Sequence, residues 1–306
     1  MKLPEELQFI QNSRMPQKRT DARLDGKVAV ITGATSGVGY QAARRFAQGG
    51  AQLALLCRNG EKAGNLQAEL KADFGTTSDV FVADFCDLAQ VRRAGAAIAA
   101  RYPAIHVLVN NAGVFNKRRR LTDDGHEMMF QVIHLASFLL TKLLAASLKA
   151  GAPARVLMIN SEGHRFGRVR MRDLSWRKRP YFGLTAYGQA KSAQLLAAQR
   201  FAREFEKDGI RVNAMHPGAV RTNIGMNNGL LYRLYSHFIL RWFLKDAAIS
   251  GESIYYLAAA PELAEASGKF YNLTIEETPA PHARDAETGA ALWDFSMAEV
   301  GLKGKG

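Results

Sequence analysis

Short apolar runs recur along the chain and alternate with longer stretches of helical periodicity. The runs cover residues 27–32, 52–57, 80–83, 106–110, 155–160 and 210–215. They are continuous rather than alternating in polarity, which is typical of strands buried on both faces of a parallel sheet. Helical patterns separate them over residues 38–48, 61–73, 88–101, 124–149 and 185–207. This order predicts an α/β fold, a doubly wound parallel sheet of about seven strands with helices on both faces.

The composition favours a single domain. The chain has 306 residues, 47% of them hydrophobic and 23% charged, and it contains no linker-like tract and no repeat of solenoid spacing. Residues 1–24 are interpreted as a polar N-terminal extension and residues 25–306 as one domain. Two cysteines favour a reducing compartment. The first 24 residues contain no apolar stretch long enough for a signal peptide or an anchor, and the apolar runs elsewhere are shorter than a membrane span. We therefore expect a cytoplasmic protein without a membrane span.

The positive charge of the chain leaves two alternatives open. Formal net charge is +13, and much of the excess lies in residues 117–120 and 165–179. Such runs are usually solvated surface, but these two flank the strand ends discussed below and would attract a phosphorylated cofactor or an acidic substrate. No nucleic-acid-binding motif accompanies them, so nucleic acid is not an expected partner. No metal site is expected, since His216 and His237 lack a second ligand at metal-binding spacing.

A glycine-rich turn follows the first predicted strand directly. Its sequence is TGATSGVG, and it opens the next predicted helix. Glycines allow a tight turn and a close approach to a pyrophosphate, which then lies at the positive end of the helix. The turn therefore predicts a dinucleotide-binding site. Its candidate cofactor-binding residues are Gly33, Thr35, Ser36, Gly37, Val38 and Gly39.

The end of the second predicted strand bears on the choice of cofactor. An acidic residue at this point would hold the ribose 2′-hydroxyl of NAD, whereas this chain has Arg58 followed by Asn59. Because a guanidinium pairs with a 2′-phosphate, Arg58 favours NADP(H) over NAD(H), with the Ser36 hydroxyl as a further contact. The alternative is that Arg58 stacks on the adenine or points to solvent.

The remaining strand ends supply further candidate cofactor contacts. Asp84, after the third strand, is placed to accept a hydrogen bond from the adenine amino group. The small residues after the fourth strand would let a planar ring and its ribose pass close to the backbone. The sequence HPGAVRT after the sixth strand fixes a turn, in which Thr222 can meet a phosphate or a carboxamide. The candidates at these ends are Asp84, Phe85, Asn111, Ala112, Gly113, Pro217, Gly218, Val220 and Thr222.

A tyrosine and a lysine stand four residues apart at the start of the last predicted helix. Tyr187 and Lys191 are therefore neighbours on one helix face. An ammonium about 6 Å away, at an effective dielectric constant of about 20, lowers a tyrosine pKa by about two units, which predicts Tyr187 as a general acid and base. Lys191 would also hold the nicotinamide ribose. Ser161 follows the fifth strand at the same edge and would hydrogen-bond the substrate oxygen as negative charge develops on it.

Together these residues resemble the short-chain dehydrogenase/reductase family. TGATSGVG, NNAG, Ser161, YGQAK and HPGAVRT match its motifs in order and spacing, and the resemblance runs from Lys27 to about Gly301. It is strongest to the retinol dehydrogenase and WW-domain oxidoreductase branch. The resemblance implies a Rossmann-type fold and NADP(H)-dependent hydride transfer between nicotinamide and an apolar aldehyde, ketone or alcohol. It also implies a homodimer formed through the helices at 124–149 and 185–207.

One position departs from the family pattern. In QVIHLASF, Ile133 stands where the family has a catalytic asparagine, whose carbonyl holds a water beside the lysine and whose side chain fixes the helix shape. Isoleucine keeps the carbonyl but loses the amide and adds β-branched bulk. The alternative function is therefore an NADP-binding regulatory or scaffold protein with weak or lost catalysis.

The same resemblance places the segment around 226–245 over the substrate cleft. Its apolar residues recur on one helical stripe, and basic residues occupy the rest of the pattern. Three alternatives stay open for it: ordinary packing as a lid, a lid that also contacts an apolar substrate, and a helix at a membrane surface.

Overall fold

A single mixed sheet forms the centre of the protein. The computed structural model describes residue 12 and residues 15–218 and 248–302. The strands are β1 Val28–Thr32, β2 Gln52–Cys57, β3 Ser78–Val82, β4 Val107–Asn110, β5 Ala154–Ile159, β6 Ile210–His216, β7 Phe270–Asn272 and β8 Ile275–Glu277. Their order is β3-β2-β1-β4-β5-β6-β7-β8. The pairs from β3 to β7 are parallel and β8 is antiparallel to β7, so the predicted doubly wound sheet is confirmed, with one strand more.

Helices connect the strands. The α-helices are α1 Gly37–Gln48, α2 Gly60–Phe74, α3 Leu88–Arg101, α4 Met128–Phe130 continued by Ala136–Leu143, α5 Ala145–Ala150, α6 Gly183–Glu204, α7 Ala248–Ala259 and α8 Ala286–Glu299. The two parts of α4 are joined by a π-helical turn, Gln131–Leu135. The continuous helix predicted over 124–149 is therefore wrong in detail, because the chain forms two helices there and widens locally into a π-turn.

The continuous apolar strands are buried from both sides. In β1, Val30 packs into one apolar core and Ile31 into the other, and both are 0% exposed. In β4, Leu108 and Val109 divide between the same two cores. Successive side chains of a strand point to opposite faces, so a strand covered by helices on both faces contains no polar alternation.

The connections reverse direction at the centre of the sheet. β1 pairs with β2 on one side and with β4 on the other. A crevice forms outside the carboxyl ends of strands where the order reverses, and ligands of open α/β sheets bind there. This edge holds the ends of β1, β4 and β5, which the sequence singles out.

The last two strands form a hairpin that the apolar pattern did not predict. β7 and β8 contribute three residues each, which is too short for a periodic signal. Leu273, between them, has a positive φ of 56°. The N-terminal extension docks here, because the Lys18 N–H donates to Thr274 Oγ1 and the Thr274 N–H donates to Gln17 Oε1.

The C-terminal helix α8 lies against α4 and α6. The Trp293 ring meets Phe138 of α4 at 4.9 Å and Phe201 of α6 at 4.8 Å between centroids. His134 Nε2 and Ser296 Oγ of α8 are 2.8 Å apart. The helices that the family resemblance assigns to a dimer interface are therefore partly covered by the chain itself.

Membrane contact by the segment around 226–245 remains a prediction, because that segment lies outside the described residues. Within the described parts of the chain, no helix combines the length and apolarity that a membrane crossing requires.

Candidate active site

The predicted catalytic residues meet at the carboxyl edge of the sheet. Ser161 follows β5, and the first turns of α6 carry Tyr187 and Lys191. Lys191 Nζ lies 5.7 Å from the centroid of the Tyr187 ring. A Cβ added at Gly163 would lie 2.7 Å from Tyr187 Cε1 and 3.2 Å from Ser161 Oγ. The loop after β5 can therefore approach the Tyr187 ring only with glycine at this position.

Ser161 is fixed at the start of a short 3-10 turn, Glu162–Phe166. Its N–H donates to Asn160 Oδ1 at 2.8 Å, and its Oγ accepts the Gly163 N–H at 3.0 Å. Because the hydroxyl oxygen accepts this bond, its proton stays available for donation. The serine can thus donate a hydrogen bond to an oxygen placed beside the phenol.

Lys191 is buried, and a polar network fixes the helix turn that carries it. Lys191 is 4% exposed, and its Nζ donates to the Ile159 carbonyl oxygen at 2.7 Å. Asn160 Nδ2 donates both to the Lys191 carbonyl oxygen and to Gln194 Oε1, each at 2.9 Å. Sequence reasoning missed Asn160 and Gln194. The available signal was their position, one residue before Ser161 and three residues after Lys191.

Burial dominates the titration of the pair. It raises the pKa of Tyr187 to about 12, against a smaller opposite effect of the Ser161 hydroxyl. It also lowers the pKa of Lys191 to about 7. The prediction that the Tyr187 pKa is lowered is therefore wrong for the protein's own groups, because desolvation of the phenol is the largest effect on its pKa and raises it. With this raised pKa, Tyr187 is a neutral phenol at neutral pH, which is the form that can donate a proton.

Apolar side chains surround the phenol. Phe115 meets the Tyr187 ring edge to face, with the centroids 5.8 Å apart. Ile133 is 0% exposed and belongs to the same small cluster. The other members are Met129, Trp176, Ala186 and Ala190, with Val114 and Tyr181 packed against them. This environment excludes water from one side of the phenol.

The π-turn of α4 centres on Ile133. Its carbonyl oxygen accepts Ser137 Oγ at 2.7 Å and Gln194 Nε2 at 3.2 Å. The widened helix thus forms with isoleucine in place of the family's asparagine. A carbonyl oxygen has two lone pairs, and protein groups already bind both.

The glycine turn fits a dinucleotide. Gly33 and Gly37 have φ of 66° and 55°, and a Cβ on Gly39 would lie 2.4 Å from the Gly33 carbonyl oxygen. Ser36, at the N-cap of α1, makes no side-chain capping bond, and the first turn contains no acidic residue. The free N–H groups and positive end of α1 therefore suit a pyrophosphate. Thr35 and Val38 lie in the same turn, partly exposed and buried respectively.

Asn111 has a structural role beneath this turn. Its Nδ2 donates to the carbonyl oxygens of Thr32 and Gly33 at 2.8 and 3.2 Å. Thr32 Oγ1 accepts the N–H groups of Asn111 and Ala112, both at 2.9 Å. The Asn111 amide is thus committed to backbone and shapes the cleft. Gly113 stands open, since a Cβ there would meet its nearest atom only at 3.8 Å.

The residues predicted to bind the adenine end of the cofactor differ in their exposure and in their contacts. Arg58 is exposed after β2, while Asn59 Oδ1 accepts the Lys62 N–H at 2.8 Å and caps α2. Asp84 is half-buried, and its Oδ1 accepts the Cys86 N–H at 2.9 Å. Phe85 is only 6% exposed and packs in the core, so a cofactor contact at this residue would fall to its backbone.

The end of β6 is described only in part. The Pro217 carbonyl oxygen accepts Ser250 Oγ at 2.6 Å, and Gly218 has a φ of 82°. Val220 and Thr222 lie outside the described residues. Burial lowers the pKa of His216 to about 3, so this histidine is neutral. Over the described residues, no cluster of three or more His, Cys, Asp or Glu side chains could hold a metal ion.

Known proteins with the same pattern include enzymes. The family model described as short chain dehydrogenase matches residues 27–230. Retinol dehydrogenase 13 of Homo sapiens is 36% identical over 303 residues, which cover 96% of this chain and 90% of that protein. The WW domain-containing oxidoreductase of Danio rerio is 36% identical over 282 residues, which cover 89% of this chain and 68% of that protein.

Solved structures share the fold. An uncharacterised protein from Mycobacterium paratuberculosis has a TM-score of 0.72 at 28% identity and covers 92% of this chain and 95% of its own. L-sorbose reductase from Gluconobacter frateurii, solved with NADPH and L-sorbose, has a TM-score of 0.68 at 22% identity, covering 83% and 97%. The predicted family and its retinol dehydrogenase-like branch are confirmed. The chain therefore belongs to the short-chain dehydrogenase/reductase family, as an oxidoreductase of alcohol or carbonyl groups.

Proposed function

We propose that the protein is an NADP(H)-dependent oxidoreductase of apolar aldehydes, ketones or alcohols, in which Tyr187 exchanges the proton. The observation that carries the proposal is the convergence of Ser161, Tyr187 and Lys191 beside an uncapped helix terminus. The nicotinamide supplies or accepts the hydride when it is bound. The glycine turn would hold the pyrophosphate, and Lys191 would hold the nicotinamide ribose.

In the direction of reduction, Tyr187 donates its proton to the carbonyl oxygen. A phenol with a pKa near 12 is protonated at neutral pH, as a donor must be. Ser161 donates a second hydrogen bond to the same oxygen and stabilises the developing charge. Lys191, with a pKa of about 7, can hold or release a proton at neutral pH directly beside the phenol. Alcohol oxidation runs through the same residues in reverse.

The surroundings of Tyr187 support an apolar substrate. Phe115 packs on the ring, and the neighbouring cluster around Ile133 consists of hydrophobic side chains. An apolar wall binds a hydrocarbon next to the reacting carbonyl through the hydrophobic effect. The retinol dehydrogenases among the relatives agree with this substrate class by name.

The exposed guanidinium of Arg58 supports NADP(H) over NAD(H). It stands directly after β2, where the chain offers no carboxylate to a ribose 2′-hydroxyl. A charge-assisted contact with a 2′-phosphate would contribute to binding of NADP(H) alone.

One observation favours a second candidate function, NADP binding without efficient turnover. The Ile133 carbonyl oxygen, which in the family binds a water beside the lysine, already accepts Ser137 and Gln194. A proton path that needs this oxygen would be weakened. The protein would then bind the cofactor in a regulatory or scaffold role.

Consumption of NADPH separates the two functions. The purified protein is mixed with NADPH and a panel of apolar aldehydes and ketones, with Tyr187→Phe as the matched control. We expect turnover that Tyr187→Phe loses at least about a hundredfold, since general acid catalysis contributes that much. Bound NADPH without turnover on any carbonyl would contradict the oxidoreductase proposal and support the second candidate.

A further inference from the structure

Two basic stretches that are distant in sequence form one surface. Arg119 Nε donates to the Ser175 carbonyl oxygen at 2.9 Å. Arg177 Nη2 donates to the Gly125 carbonyl oxygen, also at 2.9 Å. These reciprocal bonds hold the loop after β4 against the loop that precedes α6. We call residues 117–121 and 165–184 together the basic face.

The basic face is strongly and unevenly charged. Residues 117–121 contain four basic side chains and no acidic one, and residues 165–184 contain seven basic side chains and one acidic one, Asp173. Asp173 already accepts the N–H groups of Arg177 and Lys178 and pairs with Arg179 at 3.5 Å. Its charge is therefore used within the face.

Most of the positive charge points to solvent. Several exposed side chains of the face have no carboxylate within 4.0 Å among the described residues. They are Arg118, Arg120, Arg168, Arg170, Arg172 and Lys178. Unpaired like charges on one surface repel each other, so a polyanionic partner would relieve this repulsion.

Exposed apolar side chains accompany the charge. Among the described residues, six large hydrophobic side chains are exposed, and four belong to the basic face. Phe182 is 64% exposed, Phe166 57%, Leu184 52% and Leu121 39%. A soluble polyanion offers no apolar region in which such side chains could be buried. A membrane interface buries aromatic and aliphatic side chains while its headgroups bind the basic ones.

The basic side chains line clefts of headgroup size. An open cleft of about 600 Å³ lies between residues 170–173 and 178–179. A smaller one of about 260 Å³ lies beside it and shares Arg170 and Arg179 with the first. Several guanidinium groups around one concavity suit a phosphodiester, which guanidinium binds through paired hydrogen bonds.

We propose that the basic face docks on a membrane that contains anionic phospholipids. Its arginines and lysines bind the headgroups, and Phe166, Phe182 and Leu184 enter the interface. Phe182 and Leu184 flank the first residue of α6, the helix that carries Tyr187. Docking would therefore place the catalytic helix beside the lipid. The inference goes beyond the proposed function, and its test requires no turnover.

Vesicle sedimentation of the full chain tests the proposal. Phosphatidylcholine vesicles are compared with vesicles that also contain phosphatidylserine. We expect sedimentation only with the anionic vesicles, and a marked loss on raising the salt from low to high ionic strength. Each basic side chain near an anionic surface contributes about fivefold in affinity, so Arg170→Glu/Arg172→Glu/Lys178→Glu should weaken binding at least about a hundredfold.

A variant with the same change of charge elsewhere is the matched control. Lys71→Glu/Arg203→Glu/Lys207→Glu reverses three exposed charges outside the basic face: Lys71 in the last turn of α2, Arg203 in the last turn of α6 and Lys207 just after α6. It should keep most of the binding. Equal loss in both triple variants would show a non-specific effect of net charge and contradict the proposal.

The apolar part has its own test. Phe182→Ser/Leu184→Ser leaves every charge in place, and serine suits the helix-capping position of Phe182. We expect this variant to bind anionic vesicles more weakly than the wild type, and the difference between the two proteins to persist at high salt. Several results would overturn the proposal: no binding of the wild type to anionic vesicles, equal binding to neutral ones, unchanged binding of both face variants, or sequestration by duplex DNA in preference to vesicles.

Discussion

We expect a single exposed side chain, Arg58, to decide the preference between NADPH and NADH. Replacing it by alanine removes the guanidinium proposed to pair with the 2′-phosphate, so KM for NADPH should rise about tenfold to a hundredfold. KM for NADH should stay within about twofold, because NADH has no phosphate there. Steady-state kinetics with both cofactors measure this, with Arg93→Ala as an exposed arginine control outside the cleft. Equal changes for NADPH and NADH would contradict the assignment of Arg58.

Lys191 is a buried amine whose charged form costs stability. Burial lowers its pKa from 10.5 to about 7 in the folded protein, so the charged form is disfavoured there relative to the unfolded chain. The cost is complete below pH about 7 and disappears as the pH rises toward the unfolded value. Lys191→Met should therefore raise the free energy of unfolding by about 2 kcal/mol at acidic pH, and less at alkaline pH, while abolishing turnover.

Thermal unfolding of the wild type and Lys191→Met across this pH range measures the difference. Lys71→Met, at an exposed position, is the control and should show no such pH dependence. A variant that is less stable than the wild type below neutral pH would show that the bond from Lys191 Nζ to Ile159 outweighs desolvation.

The sequence predicted single residues where the chemistry depends on local spacing. Tyr187 and Lys191 are four residues apart and lie on one face of any α-helix that contains both. Their proximity could therefore be predicted without knowledge of the tertiary structure. Asn160 and Gln194 could not be found in this way, because their bond depends on how α6 packs against β5. The reversed pKa direction of Tyr187 has the same origin, since burial is a property of the packed site.

A buried histidine, His164, joins the elements that pack beside α6. His164 Nδ1 lies 2.8 Å from the Ser161 carbonyl oxygen, and His164 Nε2 accepts the Ala280 N–H at 3.1 Å. The His164 carbonyl oxygen accepts Ser192 Oγ of α6 at 3.0 Å. Burial lowers the pKa of His164 to about 4, so the ring is neutral and can donate and accept at once.

His164→Ala should therefore displace Ser161 relative to α6. We expect kcat to fall about tenfold, the cost of roughly one lost buried hydrogen bond, while KM for NADPH stays within about twofold. His106→Ala is the control, because His106 Nδ1 accepts the Val28 N–H at the opposite edge of the sheet. Both variants should lose stability. A similar fall of kcat in His106→Ala would mean that His164 acts through general stability only.

The length of each strand decided whether the sequence could predict it. The strands β1, β2, β5 and β6 are predominantly apolar segments of five to seven residues and were found with small errors at their ends. β7 and β8 are too short to carry a period. The π-turn in α4 has no hydrophobic signature, because every residue of Gln131–Leu135 is buried.

For the whole molecule, the contact of α8 with α4 and α6 bears on assembly. Trp293 and Ser296 occupy surface on the two helices that the family resemblance assigns to a dimer. Because α8 already covers part of this surface, we expect a monomer of 33.6 kDa in solution. Light scattering coupled to size exclusion measures the mass. Twice this mass, with cross-links between α4 or α6 of two copies, would restore the dimer predicted from the resemblance.

We propose that the chain moves a hydride between nicotinamide and a carbonyl carbon while Tyr187 moves the proton. NADPH that carries deuterium on the transferred position of its nicotinamide tests this most directly, with an apolar aldehyde or ketone as acceptor and mass spectrometry of the alcohol. We predict one deuterium on the carbinol carbon with the wild type and none above background with Tyr187→Phe, although both bind NADPH. Bound NADPH without labelled alcohol from the wild type, or equal labelling from both proteins, would contradict the account.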